Sequence, residues 1–136
     1  MCLSITEQKV NIFPTPVIGG VGLIKNIDKR IQNYFSNKNN NIFVIGKTFG
    51  HLHQSALFEE VCGITDGPPP DVNLLNEKNN GLAILDLINM NYLESVHDVS
   101  SGGIAISLAE MAVNSRVGVK IQKPKINSNI YEYFFG

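Results

Sequence analysis

The stretch Val96-His97-Asp98-Val99-Ser100-Ser101-Gly102-Gly103-Ile104-Ala105-Ile106-Ser107-Leu108-Ala109-Glu110-Met111-Ala112 decides how this chain is read. A hydrophobic strand end, with Leu93 and Val96, runs into an acid, two hydroxyls and two glycines. Ile104, Leu108, Met111 and Ala112 then recur near a period of 3.6 and predict an amphipathic helix over Ser101 to Asn114. Ser100 or Ser101 is the expected N-cap. Gly102 and Gly103 are expected to leave the first-turn N–H groups open, and such a helix start attracts phosphate. Asp98 beside it offers an oxygen to a divalent cation. The candidate site is therefore Ser100, Ser101, Gly102 and Gly103 around a phosphate, with Asp98 as the metal contact. No residue is assigned a catalytic role. The same residues also suit a plain strand–turn–helix junction, and most such junctions bind nothing.

Outward from this stretch, Pro14 and Pro16 force an extended path. Val17 to Ile24 reads as a strand in which Gly19, Gly20 and Gly22 allow close backbone approach. Ile27 to Phe35 suits a short helix or a turn before the polar loop Asn37 to Asn41. Ile42 to Ile45 reads as a short buried strand. Ser55 to Val61 reads as a helix, and Pro68-Pro69-Pro70 ends any helix before it. Asp71 or Asn73 is the expected cap of a longer helix running to about Asn89. Leu74, Leu82, Leu85 and Ile88 are expected to face inward, and Asn79-Asn80-Gly81 is a possible interruption. Leu93 to His97 and Val117 to Ile121 complete the predicted strands. Ile130 to Phe135 carries four aromatic residues without an evident partner element. Strands and helices mix without strict alternation, which favours an α+β fold with a mixed sheet packed by helices.

The 136 residues suffice for one domain, and a 43% hydrophobic content supports a core. The net charge is −1, with Lys and Arg scattered, so a nucleic-acid surface is not expected. No apolar run approaches the ~20 residues that span a bilayer. The first residues, Met1 to Glu7, lack a basic head and a long apolar body, so no secretory signal is read there. Cys2 is expected to be exposed and Cys62 buried, without a disulfide or metal spacing between them, which fits a reducing cytoplasm.

Strand alternation places one of His97 and Asp98 inward and the other outward. His97 reads as a structural histidine rather than a base. His51 and His53 stand two apart, as in some metal sites, but no third ligand accompanies them and Gln54-Ser55 suits a helix cap. Asp66 and Asp71 suit turns beside the prolines. Glu110 is either exposed or paired with Arg116.

Residues 96–112 resemble the His-Asp-Val-Ser-Asp-Gly-Gly-Leu-Ala-x-x-Leu-Ala-Glu-Met-Ala signature of the phosphoribosylformylglycinamidine synthase family, in its large (synthetase) subunit. That family lies within the aminoimidazole-ribonucleotide-synthetase-like superfamily. Three further stretches are similar to family segments in the same order: residues 13–24 (Pro-Thr-Pro-Val-Ile-Gly), 50–55 (Gly-His-Leu-His-Gln-Ser) and 66–81 (Asp-Gly-Pro-Pro-Pro and beyond). Together they cover nearly the whole chain. Three positions depart from the family pattern. Ser101 and Asn73 stand where it has acids, and His53 where it has glycine.

The resemblance implies a carboxy-terminal α/β sandwich domain of this superfamily. It implies residues 1–26 as the tail end of an amino-terminal ATP-handling domain and residues 27–136 as a truncated carboxy-terminal-type domain. Phe134-Phe135-Gly136 looks like the opening of a later Glu-Ser-Gln segment, so the chain resembles an internal slice of a longer enzyme. The implied activity is an ATP- and Mg²⁺-dependent amidoligase of purine biosynthesis. It converts formylglycinamide ribonucleotide to formylglycinamidine ribonucleotide with glutamine-derived ammonia. The implied partners are the remaining synthetase domains and a glutamine amidotransferase. The slice itself is not expected to catalyse, and when isolated it is expected to form a homodimer or higher oligomer through exposed apolar surface. The alternative is a non-catalytic scaffold or a split-gene remnant that packs against other synthetase domains.

Overall fold

The computed structural model describes residues 16–36, 40–122 and 129–136. The predicted segments in residues 1–15, and with them Cys2, lie outside the described residues. The elements run in order as a 3-10 turn Ile27–Lys29, a π-helical segment Leu57–Cys62 and three α-helices: α1 Leu74–Asn89, α2 Gly103–Ser115 and α3 Ile130–Phe135.

α1 forms where the sequence places it. The Asn73 side chain accepts a hydrogen bond from the Asn76 N–H at 3.0 Å, capping an orphan donor of the first turn. Gly81 does not break the helix, so the possible interruption is absent. At the other end, the Asn91 backbone turns left-handed (φ 58°) and the Tyr92 N–H reaches the Leu87 carbonyl at 3.0 Å. This closure satisfies late carbonyls, and Asn is one of the few residues that takes the left-handed turn cheaply.

Of the face that the periodicity assigns to α2, Ile104 and Met111 are buried and Leu108 and Ala112 half-buried. Ile104 is 4% exposed and Met111 7%, with Ser107 buried between them. α3 packs across the start of α2. A Cβ added to Gly103 would meet the Phe134 carbonyl oxygen at 2.6 Å and the Phe135 Cα at 2.9 Å. α3 begins with a capping box, Asn129 receiving from the backbone while Glu132 Oε2 accepts from the Asn129 N–H at 3.2 Å.

The mixed sheet expected from the strand patterns does not form among the described residues. Gln32 and Ser95 make an isolated parallel bridge, with the Val96 N–H 3.0 Å from the Gln32 carbonyl. A strand exists only through its neighbour's backbone at about 4.8 Å, and an apolar pattern does not supply that neighbour. Val17 to Leu23 stays exposed, and nothing lies within 4 Å of a Cβ built at Gly19, Gly20 or Gly22, so the close approach read there is absent. Leu74, Leu82 and Leu85 are exposed rather than inward, and Cys62 is exposed rather than buried. The chain exposes 11,866 Å². A compact monomer of 15.0 kDa exposes about 7,000 Å² by surface scaling.

Ile42 to Ile45, Leu93 to His97 and Val117 to Val119 line a cleft of about 2280 Å³ together with residues of α1 and α2.

Candidate functional site

His97 and Asp98 divide inward and outward as alternation requires. The His97 side chain is 10% exposed and the Asp98 carboxylate side 85%. His97 Nδ1 donates to the Asp98 carbonyl oxygen at 2.7 Å, since a carbonyl only accepts. The same nitrogen is 3.6 Å from Asp98 Oδ1, and Nε2 is 3.3 Å from Glu110 Oε2 on α2. Glu110 is thus exposed and faces His97, and among the described residues it makes no ion pair with Arg116. The Ser107 hydroxyl adds a second hold on this loop. It lies 3.1 Å from the Asp98 carbonyl oxygen and 3.2 Å from the Gly103 carbonyl oxygen.

The turn that follows differs from the expected open cradle. Gly102, left-handed at φ 88°, is the N-cap of α2, and neither Ser100 nor Ser101 provides a side-chain cap bond. Gly102 and Gly103 are buried. A Cβ at Gly102 would strike Ile106, and one at Gly103 would strike the α3 backbone. The Gly103 N–H is bonded to the Ser100 carbonyl at 3.1 Å. The glycine pair therefore serves a left-handed turn and a close helix crossing. Asp98, Ser100 and Ser101 remain exposed beside it.

Among the described residues no group of three or more His, Cys, Asp or Glu is placed to hold a metal. Asp98 is a single open carboxylate. That donor fits Mg²⁺, which keeps its waters and binds through one or two carboxylates plus phosphate oxygens, and does not fit an all-protein cage. The two glycines do not fit a phosphate cradle, because α3 and Ile106 cover them.

His51 and His53 are committed elsewhere. His51 Nε2 donates to the Pro68 carbonyl at 2.8 Å, and His53 Nδ1 faces the Asp66 carbonyl at 3.3 Å. Gln54 Nε2 donates to Thr65 and Gly67 carbonyls at 3.0 and 3.1 Å. These side chains clasp the loop that precedes the prolines. Ser55 Oγ accepts from the Phe58 N–H at 3.3 Å, as the helix-cap reading requires. The clasp had a signal in sequence, since three polar side chains precede a Gly-Pro turn, but its partners are backbone carbonyls that no residue pattern displays.

The sequence that carries this junction belongs to a recognisable class. Residues 37–135 match the AIR synthase related protein, C-terminal domain family, and the chain belongs to that family. Among its relatives is phosphoribosylformylglycinamidine synthase subunit PurL of Pelagibacter ubique, 45% identical over 129 residues, covering 95% of this chain and 18% of that protein. The subunit of the same name from Azorhizobium caulinodans is 40% identical over 125 residues, covering 92% and 17%. That from Mesorhizobium japonicum is 44% identical over 113 residues, covering 81% and 15%. The chain therefore spans less than a fifth of the length of the curated relatives it matches. No solved structure matches it. No helix among the described residues is long and apolar enough to cross a membrane.

Proposed function

We propose that this chain is a segment of an ATP-dependent amidoligase of de novo purine biosynthesis. The reaction converts formylglycinamide ribonucleotide to formylglycinamidine ribonucleotide with glutamine-derived ammonia. The observation that carries this reading is identity of 45% across 95% of the chain with a subunit named for that activity. On this reading residues 1–26 close an ATP-handling domain and residues 27–136 open a carboxy-terminal-type domain. The remaining synthetase domains and a glutamine amidotransferase are the partners, and the cytoplasm is the setting.

The same reading accounts for the open cleft. Segments 42–45, 93–97 and 117–121 acquire their strand partners from the rest of the synthetase, which completes the mixed sheet and covers the exposed leucines of α1. Taken alone the segment does not catalyse and self-associates. Asp98 contacts Mg²⁺ that arrives with nucleotide phosphate, which supplies electrostatic stabilisation of the transferred phosphoryl group. The hydroxyls of Ser100 and Ser101 face the same phosphate, and Gly102 and Gly103 contribute the turn that presents them.

A scaffold reading has one specific support. Asn73 and Ser101 stand where the resembled pattern has acids, and Asn73 is spent on capping α1. The two readings separate in the polypeptide isolated from its own cell. A mass several times 15.0 kDa, with ammonia- and substrate-dependent ADP release that Asp98→Ala weakens at unchanged melting temperature, is the expected result. A free 15.0 kDa chain without co-purifying synthetase domains overturns the ligase reading. Unchanged nucleotide affinity in Asp98→Ala leaves the scaffold.

A further inference from the structure

α1 carries two apolar faces. Asn80, Ile84, Leu87 and Ile88 are half-buried along one of them. Leu74, Leu75, Leu82 and Leu85 form the other, each more than half exposed. Leu75, Lys78, Leu82, Leu85 and Asn89 recur at alternating spacings of three and four, which is the seam of a helix pair. Gly81 flanks that seam. Glycine inside a helix weakens it, and nothing lies within 4 Å of a Cβ built at 81, so no close approach among the described residues accounts for it. The charges beside the seam find no partner on their own helix. Lys78 and Asp86 are exposed, and among the described residues neither makes an ion pair. They stand about 12 Å apart along the helix axis, beyond pairing distance.

We propose that α1 docks antiparallel on the α1 of a second copy of this chain. Leu82 of each copy packs against Leu85 of the other, which brings Lys78 of each beside Asp86 of the other. Gly81 lets the two backbones come close. A parallel pair would set Lys78 against Lys78, so the charges select the antiparallel direction. Lys78, Leu82 and Leu85 also line the cleft, whose 2280 Å³ accommodates a 16-residue helix about 24 Å long and about 10 Å across. The exposed surface of 11,866 Å² exceeds that of a compact monomer by well over the ~1,600 Å² a specific dimer hides. This deepens the self-association proposed for the chain taken alone and rests on that reading, with a second copy in the place that the rest of the synthetase otherwise takes.

The test is sedimentation equilibrium of the 136-residue chain under reducing conditions, with circular dichroism to confirm equal helix content in every variant. Both charged positions are exposed, so reversing them leaves the packed residues alone. Lys78→Glu and Asp86→Lys each set like charges together twice across a symmetric pair, and each is expected to weaken dimerisation by about tenfold. The double variant Lys78→Glu with Asp86→Lys is expected to restore it. Restoration cannot arise within one helix, because the two positions are too far apart, nor in a parallel pair, where each would still face its own kind. If the single variants associate as the parent does, α1 is not the docking face and self-association runs through other apolar surface. If the singles weaken association and the double does not restore it, the antiparallel second copy is overturned. If the parent chain is monomeric, this proposal falls together with the self-association it rests on.

Discussion

Gly103 lies against Phe134 so closely that any side chain at 103 would press on the Phe134 carbonyl oxygen. The contact joins the first turn of α2 to the last turn of α3, and it exists because residue 103 has no Cβ. Gly103 is also left-handed, at φ 68°.

Gly103→Ala should therefore destabilise the chain by at least about 2 kcal/mol, the left-handed backbone alone costing roughly 1–2 kcal/mol for an L-residue. Gly118→Ala is the control, since nothing lies within 4 Å of its Cβ. It should be neutral or stabilising by up to about 1 kcal/mol. Urea midpoints of the two variants check this, and equal midpoints would refute the packing role of Gly103.

Ser107 is buried with its hydroxyl between the Asp98 and Gly103 carbonyls. Ser107→Ala should lose about 1–2 kcal/mol, because the Asp98 oxygen forfeits a buried donor. Hydrogen exchange should rise first at the turn preceding α2, and uniform protection in the variant would contradict this.

Asn73→Ala should cost α1 about 1 kcal/mol through loss of its cap. Asn73→Asp should match or exceed the parent, since aspartate accepts the same bond and its charge favours a helix N-terminus. Circular dichroism during thermal melting distinguishes the pair, and a destabilised Asn73→Asp would show that the cap geometry is not what matters.

Self-association of the isolated chain is expected from the exposed leucines of α1 and the apolar segment 42–45. Leu75→Glu with Leu82→Glu should shift it toward monomer in light scattering. An isolated parent chain that is already monomeric would remove the basis for the prediction.

The helices were legible because their signals are local. Asn73 before an apolar repeat gave the start of α1, and the spacing of Ile104 and Met111 gave the buried face of α2. α3 also carries a local signal, Asn129 followed three residues later by Glu132, which is the pattern of a capping box. The strands were not legible in the same way, because Ile42 to Ile45 and Val117 to Ile121 have the right residues and lack a partner backbone. Burial failed for the same reason at Leu82, Leu85 and Cys62, whose exposure depends on what packs against them. At the candidate site the inward and outward division of His97 and Asp98 followed from alternation. The closing of the glycine turn did not, because α3 comes from 30 residues further on.

The clasp over residues 65–68 has a consequence for which changes the chain tolerates. Each main-chain carbonyl from Thr65 to Pro68 receives a hydrogen bond from His51, His53 or Gln54. A carbonyl is the same whatever side chain its residue bears, so the grip is blind to the identities of Thr65 and Asp66. Saturation mutagenesis should find those two positions permissive and positions 51 and 54 restrictive. Gly67 is the exception within the loop, because the His53 ring occupies the space its Cβ would need. Substitutions at 67 should be disfavoured even alongside a smaller residue at 53, because the Gly67 backbone is left-handed at φ 97°.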